Sequence, residues 1–145
     1  MKGKKAEELF RTGLNCSQSM FCAFAPELGV DAETAQKISC ALGGGVGRMR
    51  ETCGAVTGAA LVIGMLTGPD KTAAYAKMQE FCAAFKKEFG SLVCRELLAG
   101  VGVSTGGSPE ARTSEYYRKR PCAEMVAKAA EILEAMDFSA SGGAK

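Results

Sequence analysis

At 145 residues the chain is long enough for one domain with a real core. Its 18 basic and 16 acidic residues nearly cancel, which gives no reason to expect nucleic acid or anionic lipid as a partner. Seven cysteines and no histidine exclude Ser-His and Cys-His nucleophile pairs, mixed Cys/His zinc fingers and a c-type haem attachment motif. Chemistry must come from thiols, carboxylates, hydroxyls, Lys and Arg. The odd cysteine count argues against a structural disulfide framework. The basic start, Met1 to Lys5, runs into Ala6, Glu7 and Glu8 without the apolar core of a signal peptide, so a cytoplasmic location is expected.

Abundant alanine and glycine, few aromatics and no tryptophan suit tightly packed helices. The first helix is predicted from about Lys4 to Thr12, anchored by Leu9 and Phe10 and stopped at Gly13. Asn15 with Gln18 three residues on forms a capping-box pattern, which puts Cys16 in the first turn of a second helix carrying Met20, Phe21 and Phe24. Pro26 and Gly29 close that helix, and Asp31 caps a third running through Ala35, Ile38 and Leu42. Gly43, Gly44, Gly45 and Gly47 read as a loop.

Cys53 opens the stretch on which the rest depends. Val56, Leu61, Val62, Ile63, Met65 and Leu66 leave no side of a helix polar, so this is expected to be a central buried helix, too short and too rich in Gly and Thr for a convincing membrane span. Gly54 and Gly58, then Gly64 and Gly68, put small residues on one face where a neighbouring helix can approach. Pro69 is expected in the first position of the next helix, whose stripe of Met78, Phe81, Cys82, Phe85 and Phe89 ends at Gly90. Ser91 is expected to cap a shorter helix with Leu92, Val93, Cys94, Leu97 and Leu98. From Gly100 to about Thr113 the chain has the composition of a mobile surface loop. The last helix starts near Pro121 and carries Met125, Val126, Ala129, Ile132, Leu133 and Met136. These signals add up to an all-α, single-domain bundle of about six helices over residues 1–138, with a flexible tail over 139–145.

On this map Cys16, Cys53, Cys94 and Cys122 each fall in the first turn of a helix. Unpaired N–H groups and the positive dipole end there favour a thiolate. Four helix starts converging on one site is the expectation that follows. Cys22, Cys40 and Cys82 fall in middle or late turns beside large apolar residues and read as small buried hydrophobes. No C-x-x-C occurs, so spacing alone gives only a weak metal signal.

The run Cys53-Gly54-Ala55-Val56-Thr57-Gly58 is a CGAxxG motif, preceded by a glycine-rich stretch and by Asn15-Cys16-Ser17-Gln18, and followed by Cys94 and Cys122. In these features and their order the chain resembles the C_GCAxxG_C_C family, over nearly its whole length. The resemblance implies a redox role resting on the four cysteines, the same four that helix position selects.

The glycine loop matches neither the Walker pattern nor G-x-G-x-x-G, because Arg48 and Arg50 stand where the last glycine would fall. Loop N–H groups, Arg48, Arg50 and the helix start at Cys53 could hold a small anion or the carboxylate of a thiol substrate, although glycines that only permit packing and solvated arginines are the favoured reading. Tyr116 to Arg120 reads as a solvated helix entrance, with Arg118 and Arg120 near enough to Cys122 to favour its thiolate. Glu51 is a candidate proton acceptor beside Cys53.

The functional expectation is a small redox protein with Cys16, Cys53, Cys94 and Cys122 as its active cluster. Gly54, Gly58 and Arg48 would shape the place where a cofactor binds. Two versions stand: dithiol–disulfide cycling, or the same four cysteines as ligands of an iron–sulfur cluster of the 2Fe–2S type. The second is slightly favoured because four thiols exceed what an exchange pair needs. A non-catalytic module holding zinc or another soft metal is the alternative, and a membrane-associated accessory role ranks behind it. The expected partner is a redox protein or a small thiol, not nucleic acid or a membrane. Whether the chain is an enzyme, and whether it forms a homodimer, stay open.

Overall fold

Helix α5 (Gly54–Thr67) lies at the middle of the computed structural model, which describes residues 1–139. It packs against α2 (Cys16–Phe24), α6 (Lys71–Phe89) and α9 (Cys122–Ala135). Helix α1 (Lys2–Arg11) lies across α9 and α2, and α3 (Ala32–Ser39) packs on α2. The fold is all-α. An isolated antiparallel bridge between Thr52 and Val93 is the one β pairing among the described residues. The buried apolar side chains form one continuous cluster, with Phe10, Phe21, Phe81 and Phe85 its largest members.

Local signals work as expected at several starts. The Asn15 side chain accepts from the Gln18 N–H at 2.8 Å, and Gln18 Oε1 accepts from the Asn15 N–H at 3.0 Å, closing the capping box ahead of α2. Asp31 caps α3 by accepting from Thr34 N–H at 3.0 Å. Gly29 and Gly90 end their helices with φ of 75° and 90°.

Four expectations need correcting. The first concerns α5, which is buried all round only at its beginning: Gly64 is exposed and Met65 is 48 % exposed, because neighbouring helices cover the first half more fully. The small-residue face splits in the same way. A Cβ on Gly58 would stand 2.6 Å from Met20 Cβ, whereas one on Gly64 would meet nothing within 4 Å. Second, Asp70, and not Pro69, precedes α6, since its carboxylate accepts from Ala73 N–H at 3.2 Å. Third, the short helix α7 (Cys94–Leu97) begins after Ser91, whose hydroxyl accepts from Val93 N–H at 3.0 Å. Fourth, Tyr116 and Tyr117 belong to a separate helix α8 (Ser114–Lys119), capped by Thr113, and pack on Phe10 instead of forming a solvated entrance.

Beyond Ser139 the expected tail lies outside the described residues. Among the described residues no helix is long and apolar enough to cross a membrane.

Candidate functional site

All four selected cysteines sit at helix starts. Cys16 is the first residue of α2, Cys94 of α7 and Cys122 of α9, and Cys53 is the N-cap of α5. Specific contacts draw these starts together. A Cβ on Gly54 would stand 2.8 Å from Cys16 Cβ, so only glycine lets α5 begin directly against α2. At the Thr52–Val93 bridge the Cys53 N–H donates to Leu92 O at 2.8 Å and the Cys94 N–H donates to Glu51 O, which holds the second and third cysteines side by side. Cys16 and Cys122 lie close enough that each is the leading influence on the other's thiol. The four sulfur-bearing residues line one cavity of about 250 Å³. Cys53, Cys94 and Cys122 are each 6–7 % exposed, and Cys16 is half-buried.

The glycine stretch forms a wall of this cavity. Gly43–Val46 (α4) is nominally one helical turn, yet Gly44 and Gly45 within it have φ of 66° and 71°, and Val46, Gly47 and Arg48 continue at 66°, 60° and 67°. A left-handed Val is costly, about 1–3 kcal/mol, and persists where surrounding contacts dictate it. A Cβ on Gly45 would stand 2.7 Å from both Arg50 Cα and Cys94 Cβ, so this turn seats Cys94.

Arginines close the other side. Arg50 is 3 % exposed; its Nε donates to Ser104 O at 2.9 Å and its Nη1 reaches Cys94 Sγ at 3.8 Å. Arg48 donates to Gly106 O at 2.8 Å and Ser104 Oγ at 3.0 Å. Neither is the solvated arginine favoured from the sequence. Their bonds pin the 100–113 stretch over the cavity, so its loop composition hides a fixed role. Arg112 donates to Phe10 O and Leu14 O, both at 2.9 Å, and lies 4.4 Å from the Phe10 ring centroid. Arg120 pairs with Glu110 and lies near enough to Cys122 to favour its thiolate.

These surroundings separate the sulfurs. Cys122 is held down to about 7, first by the hydrogen bond from Cys16, opposed by burial, and then by Arg120 and Arg112. Cys16 is pushed well above the ordinary thiol value by giving that bond and by burial. Cys53 is pushed up to about 12 by burial, even though the Ala55 and Val56 N–H groups pull the other way. The expectation that a helix start depresses each thiol therefore fails at Cys16 and Cys53, where desolvation outweighs the dipole. It holds at Cys122 only with help from Cys16 and the arginines. Burial also raises Tyr116, which lines the cavity, to about 12.

Other residues sort themselves by position. Gly54 and Arg48 line the cavity; Gly58 does not, and instead lets α5 approach Ser17 and Met20. Cys22 is buried in the core and Cys82 is half-buried against it. Cys40 departs from the buried-hydrophobe expectation: it is exposed and lines the same cavity. Arg118 is exposed, and the arginines that most lower Cys122 are Arg120 and Arg112. Glu51 is exposed and paired with Arg95 at 2.8 Å. The sequence reading missed Glu110 and Arg112. They are the two charged residues in an otherwise uncharged stretch from Gly100 to Thr113, which was the available signal.

Four thiols without histidine are the donor chemistry of a soft metal or an iron–sulfur centre. As arranged, however, no group of three or more Cys, Asp or Glu among the described residues has the geometry to hold a metal ion.

No curated protein and no solved structure matches the chain. A family model, described as "Putative redox-active protein (C_GCAxxG_C_C)", matches residues 14–136. That span contains all four converging cysteines, the glycine wall and the arginine side of the cavity, and the chain belongs to the C_GCAxxG_C_C family.

Proposed function

We propose that the protein works by thiol–disulfide exchange, with Cys122 as the attacking thiolate and Cys16 as the resolving thiol. The observation that carries this reading is the convergence of Cys16, Cys122 and Arg120 on one cavity, where Cys122 is held at about 7 and Cys16 is raised. A thiol near ambient pH is the best attacker, because it combines a substantial thiolate fraction with retained nucleophilicity.

The exchange balances without a further reagent. The Cys122 thiolate attacks one sulfur of a small disulfide R–S–S–R, forms a mixed disulfide and expels R–S⁻. Cys16 then attacks the Cys122 sulfur, its proton goes to the second departing sulfur, and a Cys16–Cys122 disulfide and R–SH remain. Two electrons pass from the protein dithiol to the substrate disulfide. The first step prepares the second: once Cys122 is no longer an anion, two of the causes that raise Cys16, its bond to Cys122 and that group's charge, are gone. A cavity of about 250 Å³ suits a small disulfide better than a protein loop.

A metal-bound role for the same four cysteines is the second reading, favoured by their lining one cavity. It ranks behind exchange because the sulfurs are not arranged as a ligand set. The test is to purify the protein anaerobically, equilibrate it with oxidised and reduced glutathione, and map disulfides by mass spectrometry. Exchange predicts reversible loss of two free thiols, assigned to Cys16 and Cys122. Stoichiometric iron with visible absorption that disappears in Cys53→Ser, and no Cys16–Cys122 disulfide, would overturn it.

A further inference from the structure

We propose that the cavity binds an anionic group of its substrate, a carboxylate or an oxyanion, on the free edge of the Arg50 guanidinium beside Cys94. This deepens the exchange reading, on which it rests for the reacting sulfur, by naming the charge that the substrate carries.

Most charged donors in the cavity are already committed. Four guanidiniums, those of Arg48, Arg50, Arg112 and Arg120, line the cavity, together with one carboxylate, Glu110. Glu110 sits between Arg120 and Arg48, whose Nη1 is 3.7 Å from it, so its charge is shared by those two. Arg112 has spent both terminal nitrogens on the Phe10 and Leu14 carbonyls and lies over aromatic rings. Arg50 differs. Its Nε is used by Ser104 O and its Nη1 makes only the long contact to Cys94 Sγ, while its Nη2 is buried with no partner among the described residues.

A guanidinium stays charged in proteins, and burying a charge is strongly unfavourable unless it is paired. Among the described residues no carboxylate pairs with Arg50, although it is 97 % buried by its 3 % exposure. A Cβ on Gly45 would stand 2.7 Å from Arg50 Cα, so glycine there lets the loop pack directly on the Arg50 backbone whose side chain lines the cavity. An anion supplied by the substrate would satisfy Nη2 and neutralise the excess positive charge. It would also be held in the cavity that Cys122 lines.

The experiment compares iodoacetate with iodoacetamide as alkylating probes of Cys122 in the reduced full-length protein, with sodium sulfate as competitor at constant ionic strength. A charge-assisted hydrogen bond from Arg50 should raise the iodoacetate-to-iodoacetamide rate ratio at Cys122 at least about tenfold above that of free cysteine. Sulfate, but not chloride, should suppress the iodoacetate rate, and Arg50→Met should return the ratio towards that of free cysteine. A ratio equal to free cysteine in the wild type, with no sulfate effect, overturns the anion site and leaves thiol exchange standing. Should Arg50→Met fail to fold, the wild-type ratio and sulfate competition decide. Should Cys122 resist both reagents, the exchange reading fails instead, and calorimetry with sulfate on the wild type decides: saturable one-to-one binding supports the anion site and its absence overturns it.

Discussion

Replacing Cys16 with alanine tests how the thiolate at Cys122 is stabilised. The bond from Cys16 is the largest cause that brings Cys122 from 9.0 to about 7, ahead of Arg120 and Arg112. At pH 7 about half of Cys122 is thiolate in the wild type, and about one hundredth would be if the whole depression were lost. The arginines remain in the variant, so the reactivity midpoint is expected to rise from about pH 7 to above about pH 8, with about fivefold less thiolate at pH 7. The rate falls less than the thiolate fraction, because a more basic thiolate is a better nucleophile, so the midpoint is the cleaner readout. Cys16→Ser retains an O–H donor and should shift much less. The assay is pulsed alkylation across pH, with the Cys122 peptide quantified by mass spectrometry. A Cys16→Ala midpoint still near pH 7 would refute the hydrogen-bond account in favour of the arginines alone. A wild-type midpoint near pH 9 would refute both.

Four further outcomes follow from packing and burial. Gly54→Ala and Gly58→Ala should each destabilise by about 1–3 kcal/mol in urea denaturation, since the new methyl meets Cys16 Cβ at 2.8 Å or Met20 Cβ at 2.6 Å. Gly64→Ala, on the open side of the same helix, should stabilise by about 0.5–1 kcal/mol. Ser17→Ala should be neutral or stabilising by about 1 kcal/mol, because the buried Ser17 hydroxyl has no partner among the described residues and alanine removes a desolvation cost; a clear loss would mean that the hydroxyl is bonded after all. Cys53 should make the fold sensitive to alkali. Its folded value of about 12 lies above 9.0, so its contribution is intact below pH 9 and is lost as pH rises towards 12, by about 2 kcal/mol at pH 10.5. Cys53→Ala should flatten that part of the pH–stability curve, and equal slopes in the two proteins would contradict the burial assignment.

Much of the site was legible because helix starts carry strong local signals. Asn15 with Gln18 announces α2, and the apolar run after Cys53 announces α5, so the cysteines at those starts could be placed before any coordinates. Gly54 and Gly58 were readable as a close-approach face because spacing by four is a local property of a helix. Gly64 carries the same signal without the same outcome, since whether a partner lies across from it is decided by distant chain. On the arginine side Arg48, Arg50 and Arg120 were picked out, but Arg112 and Glu110 were not, for a similar reason. Arg112 and Glu110 lie in a stretch that reads as loop, and only its threading over the cavity brings Arg112 to the carbonyls of Phe10 and Leu14, about a hundred residues earlier in sequence. Cys40 was misread because position within a helix says nothing about which helix face the cavity occupies.

The four helix starts resemble each other, yet their sulfurs do not. Cys53 faces the N–H groups of Ala55 and Val56 and still titrates near 12, whereas Cys122 titrates near 7. A helix end contributes about 0.3–1 kcal/mol at ordinary sites, less than one pH unit, and cannot offset a burial effect of about three. The helices therefore act chiefly as delivery geometry: each brings one sulfur to a shared cavity from a different part of the chain. Their acidities are set apart afterwards, by the Cys16–Cys122 interaction and by the guanidiniums of Arg112 and Arg120. The low value at Cys122 thus depends first on Cys16 from α2 and then on two arginines at or beside the pinned stretch.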